Sequence, residues 1–462
     1  MQRRALLRLF ALGPLFALAC ADDADAGVTP LSGPTRRVVI VGAGIAGLVL
    51  AGVLQRAGIE VVVLEARDRI GGRIHTIELA DATIDAGAAW IHGRNGNPLA
   101  QLVDDLGLPT REHAYEPLWT WDAIAQRRLD AAEQVAALAR EDGFYEALES
   151  LQDQLGAQAS MQAAIDAHLA ALDLDTDAER HARLVLEQYL LEIDYGGPTD
   201  QTSLAIFDED EFFGYDDHLV AGGFVALIDR LAAGLDIRTS TRIDTVGHDA
   251  TKAWVVTEQG ERHEADRVVV TVPLGVLQAA TIRFEPELPA AKQSALARMQ
   301  MSNLEKVILR FEQVFWPDPS DAAWLHIGNE RGEFPLIVDF TADAGAPTLV
   351  LMHGGARVRE HLDEVDDASL VAEALTLLAA LFDVAVPTPL ASYVTRWRND
   401  PHARGSYSFP ALGQSLDDFD TLAEPVGERV LFAGEATSRA YFGTLHGAVH
   451  SAQREAARMR VS

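Results

Sequence analysis

The chain is short of cysteine, since Cys20 is the single one among 462 residues. With no second thiol there is no internal disulfide, and the body of the protein holds neither a cysteine metal cluster nor a thiol nucleophile. His446 and His450 have the i, i+4 spacing of one helix face, yet no third metal ligand accompanies them. The sequence therefore predicts no metal site.

Basic residues are also few, because 38 Lys and Arg stand against 69 Asp and Glu, which gives a formal net charge of -31. The phosphates of nucleic acid would be repelled by such a chain, so we expect no nucleic-acid partner. Negative charge raises the local concentration of cationic ligands, which suits a positively charged small molecule. Soluble surfaces ordinarily carry such charge as well, so it decides only against nucleic acid.

Long apolar runs are confined to the N-terminus, where the run is too short to cross a bilayer. The run follows Arg3–Arg4, a pair that resembles the signal for export of proteins already folded. Residues 17–20 resemble a lipoprotein cleavage site with Cys20 as the lipid anchor; the alternative is ordinary cleavage just before it or within residues 21–35. We therefore expect residues 1–20 to be a targeting segment followed by a linker, and the protein to be an exported, periplasmic or membrane-anchored bacterial lipoprotein.

Beyond this region the pattern is a strand, a glycine turn, a helix and a second strand. Arg37–Val41 is a β-branched run without polar alternation, which is typical of a buried parallel strand. Residues 45–57 have helical spacing, with Gly58 as a left-handed C-terminal cap, and residues 59–64 form the second strand. This order predicts a Rossmann-like nucleotide-binding unit.

The turn between the first strand and the helix carries the pattern GxGxxG at residues 42–47. Its first glycine allows the tight turn, its second lets the backbone approach a pyrophosphate, and its third lets the helix pack close to the strand. A carboxylate ends the second strand, where it accepts hydrogen bonds from ribose hydroxyls and disfavours a 2′-phosphate. The predicted dinucleotide contacts are Gly42, Gly44, Ala46, Gly47 and Glu65; the alternative is a glycine turn without a ligand.

The residues after Glu65 favour FAD over NAD. Residues 65–73 read EARDRIGGR, which is similar to the flavin-containing amine oxidases, a family that includes monoamine oxidases, polyamine oxidases and lysine-specific histone demethylases. The resemblance implies that the glycine pair lets the chain run along the pyrophosphate of FAD. It also implies that Arg67, Gly72 and Arg73 belong to the cofactor site.

The resemblance covers nearly the whole chain after residue 36. It rests on further motifs in family order: DAGAAWIHG at 85–93, TVPLGVL at 271–277, the segment 397–408 that contains GSYS, FAGE at 432–435 and GTLHGA at 443–448. The cofactor contacts that it implies are Ala89 and Trp90 beside the flavin ring, Ile243 at the adenine half, Gly434 and Glu435 at the ribityl and phosphate part, and Thr444 at the last helix.

The reacting part of the site is also implied by the resemblance. Lys306 matches a lysine that holds a water against flavin N5, so it would assist proton transfer or the reaction with oxygen, although most lysines are surface residues. Tyr407 matches an aromatic wall of the substrate cage. Ser406 stands where monoamine oxidases carry a flavin-linking cysteine, so we expect FAD to be bound without a covalent link.

Ser406 and Thr444 separate this chain from the monoamine oxidases. Thr444 replaces their second cage tyrosine, and His92 lies in a segment similar to that of animal polyamine oxidases. We expect this threonine and this histidine to act in catalysis beside Lys306 and Tyr407. The alternative for His92 is a structural histidine next to the cofactor.

These elements predict an α/β protein of the amine oxidase type. A Rossmann-like FAD-binding domain would come from residues 36–115, 216–295 and 411–462. A discontinuous, mixed α+β substrate domain would come from residues 116–215 and 296–410. The first part of that substrate domain is rich in Ala, Leu, Glu and Gln, which predicts a helical insertion.

The expected reaction is oxidation of a C–N bond in a cationic di- or polyamine. Hydride would pass to flavin N5, and oxygen as the acceptor would give an imine or aldehyde and hydrogen peroxide.

One alternative is an L-amino-acid oxidase, which needs a carboxylate-binding arginine that no motif places. Carotenoid desaturases and protoporphyrinogen oxidase, from the wider superfamily, would require a more apolar tunnel. A flavin-bound binding protein without activity is an alternative of another class, against which Lys306 and Tyr407 argue.

Overall fold

The computed structural model describes residues 29–113, 117–208, 211–214, 216–317, 323–328, 333–355, 358 and 364–460. The predicted targeting segment, with its candidate lipid anchor Cys20, lies outside the described residues. Within these ranges, none of the helices combines the length and the apolar content that a membrane span requires.

The strands of the described residues follow one another in this order: β1 (Arg37–Val41), β2 (Glu60–Leu64), β3 (Thr76–Leu79), β4 (Ala82–Asp85), β5 (Thr110–Glu112), β6 (Pro117–Asp122), β7 (Arg127–Arg128), β8 (His218–Val220), β9 (Asp236–Arg238), β10 (Ile243–His248), β11 (Ala253–Thr257), β12 (Arg262–Ala265), β13 (Arg267–Val270), β14 (Arg283–Glu285), β15 (Gln300–Met301), β16 (Leu304–Arg310), β17 (Ala323–Ile327), β18 (Leu336–Asp339), β19 (Thr348–Gly354), β20 (Ala391–Val394), β21 (Ser408–Phe409) and β22 (Val430–Phe432).

The helices, in the same order, are α1 (Ile45–Arg56), α2 (Pro98–Asp105), α3 (Ala131–Leu155), α4 (Met161–Ala170), α5 (Thr176–Leu184), a π-helix (Val185–Ile193), α6 (Val225–Ala232), α7 (Leu274–Gln278), α8 (Ala290–Arg298), α9 (Thr341–Ala344), α10 (Asp367–Phe382), α11 (Asp417–Ala423), a 3₁₀ turn (Glu435–Thr437) and α12 (Leu445–Arg458).

A five-stranded parallel sheet confirms the predicted Rossmann-like unit. Its strand order is β22-β13-β1-β2-β9, and each neighbouring pair is parallel. The β-branched strands are buried on both faces, as parallel strands covered by helices must be. Helices α1 and α12 share one hydrophobic core with this sheet. The first helix ends at Arg56, and Gly58 beyond it has the predicted positive φ, +81°.

A seven-stranded sheet forms the second large layer, in the order β20-β16-β19-β18-β17-β6-β7. Helix α10 packs on one face, against Val307 and Leu309 of β16. Ile308 of the same strand lies in a different cluster, with Ala86, Ala89 and the partly buried Trp90. Because side chains alternate along a strand, Lys306 shares the face of Ile308 and is directed away from α10.

The predicted helical insertion is confirmed in its middle and wrong at its start. Helices α3 and α4 and the π-helix contribute to one apolar cluster. Residues 117–128, however, contain β6 and β7, and β6 pairs in parallel with β17. The local composition did not predict this pairing, because its partner lies about two hundred residues later in the chain. The division of the chain into two domains stays a prediction.

Candidate active site

The glycine turn after β1 is so tight that its glycines are required. Gly42 has φ of +112°, which residues with a side chain rarely adopt. A Cβ on Gly47 would lie 2.1 Å from the carbonyl oxygen of Gly42, so α1 approaches β1 only because that atom is missing. Gly44 is the N-cap of helix α1 and gives it no side-chain cap, and the first turn, where Ala46 is buried, has no acidic residue. The amides at this end are suited to bind an anion such as a pyrophosphate.

Glu65 is buried at the end of β2 and faces the same turn. Its carboxylate accepts hydrogen bonds from the amides of Ala43 and Arg67, each at 2.8 Å. The Arg67 guanidinium donates two hydrogen bonds to Asp400, at 2.6 and 2.8 Å. This ion pair joins the cofactor segment to a residue 333 positions later, and the Asp400 carboxylate balances the positive charge of Arg67.

Arg73 and Glu435 bring the first and last cofactor motifs together. Arg73 Nη1 donates to Glu435 Oε1 at 2.8 Å and to the Ser406 carbonyl oxygen at 2.9 Å. The other oxygen of Glu435 accepts from the Ser408 hydroxyl at 2.6 Å and from the Gly443 amide at 2.9 Å. Three segments that are far apart in sequence therefore meet at one carboxylate.

The glycines of these segments leave room where a flavin dinucleotide would lie. A Cβ on Gly72 would come within 3.4 Å of Gly44 Cα, so the two glycine segments lie side by side. At Gly434, where φ is +129°, nothing lies within 4 Å of the position of a Cβ, and the same is true at Gly44. The residues present therefore fit the cofactor. Ile243 is buried in the core between the sheets, so its side chain acts in packing.

Lys306 is a buried cation held by backbone oxygens. Its Nζ donates to the carbonyl oxygens of Asp85 at 3.1 Å and Gly87 at 2.7 Å, and it lies 5.2 Å from the centre of the Trp90 ring. Burial lowers the pKa of Lys306 to about 8, against the opposing effect of Asp85. The lysine therefore exchanges its proton close to neutral pH, as a proton-transfer group requires.

Asp85 supports this lysine from β4. Its carboxylate accepts from the Thr76 hydroxyl and from the Phe224 amide at 3.0 Å. Burial raises the pKa of Asp85 to about 6, while these hydrogen bonds and Lys306 act to lower it. Asp85 and Lys306 therefore each favour the charged form of the other, while burial opposes both charges.

Tyr407 is fixed by the end of the π-helix. Its hydroxyl lies 3.3 and 3.1 Å from the carbonyl oxygens of Ile193 and Asp194, and the single hydroxyl proton is shared between these two acceptors. The last carbonyls of a helix lack partners within the helix, and the tyrosine hydroxyl provides one donor at this end. Burial raises the pKa of Tyr407, so the phenol stays neutral. Contact of the Tyr407 ring with a substrate stays a prediction.

Ser406, at the position of the flavin-linking thiol of monoamine oxidases, is hydrogen-bonded to the backbone of Leu304. Its hydroxyl accepts from the Leu304 amide and donates to the Leu304 carbonyl oxygen, both at 2.8 Å. The position therefore joins the tyrosine segment to the strand that carries Lys306.

His92 and Thr444 both have polar partners within the protein. His92 Nδ1 is 3.1 Å from Asp217 Oδ2, and 44% of its side chain is exposed. The Thr444 hydroxyl accepts from the Gly447 amide at 2.9 Å and donates to the Tyr441 carbonyl oxygen at 2.7 Å, so it caps α12. The Thr444 hydroxyl is thus used as a cap, and the role of Thr444 in catalysis stays a prediction.

Three features of the site escaped the sequence reasoning. They are the pairing of Arg67 with Asp400, the pairing of His92 with Asp217, and the π-helix carbonyls that hold Tyr407. Each joins residues more than a hundred positions apart, and no local pattern encodes such a contact. Of these residues, Asp400 lies in a family motif, the segment 397–408, and this is the one sequence feature that marked it as part of the site.

Comparison with known proteins identifies the class to which this fold and site belong. The family described as flavin containing amine oxidoreductase matches residues 45–460. The chain belongs to this family. This confirms the family that the sequence predicted.

The curated relatives fall into two groups. A rice protein, "Lysine-specific histone demethylase 1 homolog 1", is 35% identical over 93% of this chain, but the chain spans only 52% of that relative. "Polyamine oxidase 4" of rice is 32% identical over 90% of this chain and 86% of its own length. "Polyamine oxidase 2" of Arabidopsis thaliana is 32% identical over 92% of this chain and 88% of its own length.

Solved structures of putrescine oxidase share the fold. The wild-type structure bound to putrescine has a TM-score of 0.75 and 24% identity, and the match covers 91% of this chain and 98% of that one. A single-substitution variant of that enzyme has a TM-score of 0.76, again at 24% identity, over 92% of this chain and 99% of that one. Identity at this level establishes the common fold.

The relatives contradict the expected bacterial location. They are plant polyamine oxidases and histone demethylase homologues, and none of them is named as a bacterial lipoprotein. The prediction of an exported, periplasmic or lipid-anchored bacterial protein is therefore wrong. It depended on an arginine pair, a short apolar run and Cys20, and such short targeting patterns carry little information.

The glycine turn generates a test with a matched control in the same helix. Gly47→Ala places a Cβ 2.1 Å from the Gly42 carbonyl oxygen, so we expect purified protein that has lost most of its FAD. In Gly52→Ala the nearest atom is the flexible Arg56 Nη1 at 3.3 Å, so FAD content should equal that of the wild type. The ratio of flavin to protein absorbance measures both. Full FAD content in Gly47→Ala would contradict the assignment.

Proposed function

We propose that the protein is an oxidase of di- or polyamines. In this reaction a hydride leaves the carbon next to an amine nitrogen, the resulting imine hydrolyses to an aldehyde, and oxygen is reduced to hydrogen peroxide. FAD, when bound, supplies the two-electron acceptor. The observation that carries the proposal is the buried Lys306 with a lowered pKa, seated on the backbone of the motif at 85–93.

Lys306 moves or holds a proton at Nζ. Two of its hydrogens are directed to the carbonyl oxygens of Asp85 and Gly87. When the amine is neutral it still has two hydrogens for these carbonyls and gains a lone pair, so it can accept a proton without losing its position. This supports a role in proton transfer, either directly or through a water.

Tyr407 orients the substrate nitrogen. Because its hydroxyl is used by two backbone oxygens, the ring has one defined position. The face of an aromatic ring attracts a cation and, more weakly, the polar end of a neutral amine. The reacting amine must be neutral, since an ammonium has no lone pair to support hydride loss, and a partly apolar pocket favours the neutral form.

His92 and Asp217 support recognition of a second amino group. The carboxylate of Asp217 is 14% exposed and lies 3.1 Å from the His92 ring. A carboxylate beside a half-exposed imidazole favours a cation over an anion at this place. His446, which contacts the Phe213 and Tyr441 rings, is buried, and burial lowers its pKa to about 3, so it adds no opposing charge at neutral pH.

The alternatives have weaker support. The cofactor motif has three arginines. Arg67 and Arg73 are paired with carboxylates of Asp400 and Glu435. Arg69 donates to two backbone carbonyl oxygens at 3.2 and 3.3 Å, so none of the three gives support for binding an amino-acid carboxylate. An inactive flavin-binding protein would have no use for a buried lysine. Oxidation of methylated lysine is favoured by the 35% identity to a demethylase homologue, but the polyamine oxidases match over most of their own length.

A peroxide-coupled assay on a substrate panel tests the proposal. We expect spermidine or putrescine to give a higher kcat/KM than benzylamine-type monoamines, L-amino acids or a methylated lysine peptide. The advantage should fall as salt rises, because at about 0.15 M salt charges are screened beyond roughly 8 Å. Preference for L-amino acids or for the peptide would replace the proposal with that alternative.

Removal of Lys306 should slow the reaction without removing FAD. We expect Lys306→Met to lower turnover about tenfold or more, as loss of a positioned proton-transfer group does. Wild-type activity should rise with pH through about 8, as Lys306 loses its proton. The variant should keep only the pH dependence of the substrate amine. Turnover within about twofold of wild type at saturating amine and oxygen would make Lys306 structural.

The flavin should be released by acid. Ser406 provides no thiol, and its hydroxyl is engaged by Leu304, so we expect all yellow colour in the supernatant after acid precipitation. Flavin retained in the pellet would reveal a covalent link through another residue.

A further inference from the structure

The strand β16 and the tyrosine segment are joined by a row of hydrogen bonds that continues past Ser406. At one end, the Ser302 amide donates to the Tyr407 carbonyl oxygen at 2.7 Å. At the other end, Thr395 contacts both backbone groups of Lys306. Its hydroxyl accepts from the Lys306 amide at 2.7 Å, and its amide donates to the Lys306 carbonyl oxygen at 3.0 Å.

Glu305 completes this row from the opposite face of β16. Its side chain has no exposed surface. Glu305 Oε2 accepts from the Thr395 hydroxyl at 2.5 Å, and Oε1 accepts from the Arg398 amide at 3.1 Å. One carboxylate therefore contacts two points of the segment that leads to Asp400 and Tyr407.

The chemistry of the Thr395 hydroxyl makes Glu305 the orienting group. A hydroxyl has one proton and two lone pairs. Because the proton goes to the carboxylate, a lone pair is left for the Lys306 amide. The oxygen–oxygen distance of 2.5 Å lies at the short end of the range for O–H···O hydrogen bonds. Burial raises the pKa of Glu305 to about 7, and the hydrogen bonds from Thr395 and Arg398 oppose that rise.

We propose that Glu305 is a positioning residue for Lys306 and for the segment that carries Tyr407. Through Thr395 the carboxylate fixes the backbone of Lys306, and through the Arg398 amide it fixes the start of the turn that leads to Tyr407. Neither Glu305 nor Thr395 reaches the substrate side of the sheet through these contacts. The proposal rests on the proposed function for the roles of Lys306 and Tyr407, but not for the positioning itself.

Variants of Thr395 distinguish the effect of its hydroxyl group from the effect of its side-chain volume. Thr395→Val has the same shape but leaves Glu305 and the Lys306 amide without their shared partner, while Thr395→Ser keeps the hydroxyl. Glu305→Gln retains an acceptor for the hydroxyl, but its amide nitrogen cannot accept from Arg398. Thr348→Val is the matched control. Thr348 is fully buried at the far end of the neighbouring strand, where its hydroxyl donates to the Ala346 carbonyl oxygen.

The holoenzymes are compared by two measurements. Hydrogen–deuterium exchange of peptides covering 302–308 and 395–407 reports positioning whether or not the substrate is known. The rate of flavin reduction by spermidine without oxygen, with kcat and KM, reports its effect on the reaction. In Thr395→Val and Glu305→Gln we expect exchange in both peptides to rise about tenfold, the effect of one lost hydrogen bond. We also expect kcat to fall by about the same factor, with KM within about twofold.

The controls decide between positioning and general loosening of the core. Thr395→Ser should restore wild-type exchange and kcat, and Thr348→Val should leave both unchanged. Wild-type exchange and kcat in Thr395→Val and Glu305→Gln would overturn the proposal, and so would equal losses in Thr348→Val. Faster exchange in an enzyme whose wild type oxidises no amine would support the positioning and contradict the proposed function. If Thr395→Val does not fold, Glu305→Gln and Thr395→Ser still give the comparison.

Discussion

The carboxylate of Glu435 is buried and accepts hydrogen bonds from three parts of the chain: Arg73 near the start, Ser408 in the tyrosine segment and Gly443 before the last helix. A buried carboxylate is costly unless its lone pairs are satisfied. Here it is satisfied only when all three parts are in place. The cofactor site and the tyrosine segment therefore form together, and the rest of the active site is built on that junction.

The strand β16 carries a buried cation on one face and a buried carboxylate on the other. Lys306 lies on the face with Trp90 and the cofactor motif, where its proton can be exchanged. Glu305, one residue earlier, is directed to the other face, where it accepts hydrogen bonds from the Thr395 hydroxyl and the Arg398 amide. Alternation along the strand keeps a buried cation and a buried carboxylate apart, so they do not neutralise each other by direct pairing.

The sequence predicted those features that are encoded locally or by the order of the family's motifs. The glycine turn, the strand ending at Glu65 and the buried strand at Lys306 follow from short patterns, and the structure has them. The pairing of β6 with β17 and the ion pair of Arg67 with Asp400 join distant residues. Composition and periodicity describe one segment at a time, so such contacts could not be derived from them.

The prediction of the cellular location was wrong, because it depended on a short N-terminal sequence pattern and not on features of the folded structure. Within the site, Thr444 was assigned from its position in a motif, while its hydroxyl is used to cap α12. A motif identifies which residue occupies a place, but the direction of its hydrogen bonds depends on neighbours that the motif does not name.

The π-helix at Val185–Ile193 has an evolutionary consequence. A helix wound this widely accommodates more residues in each turn than an α-helix, and such segments occur often at functional sites. Deleting a single residue would let the segment return to the commoner winding, at little cost to its own backbone. Each residue of an α-helix turns the chain by about 100°, so the carbonyls that hold the Tyr407 hydroxyl would then point elsewhere. The length of this segment is therefore under tighter constraint than its composition, and a substitution there is better tolerated than a loss.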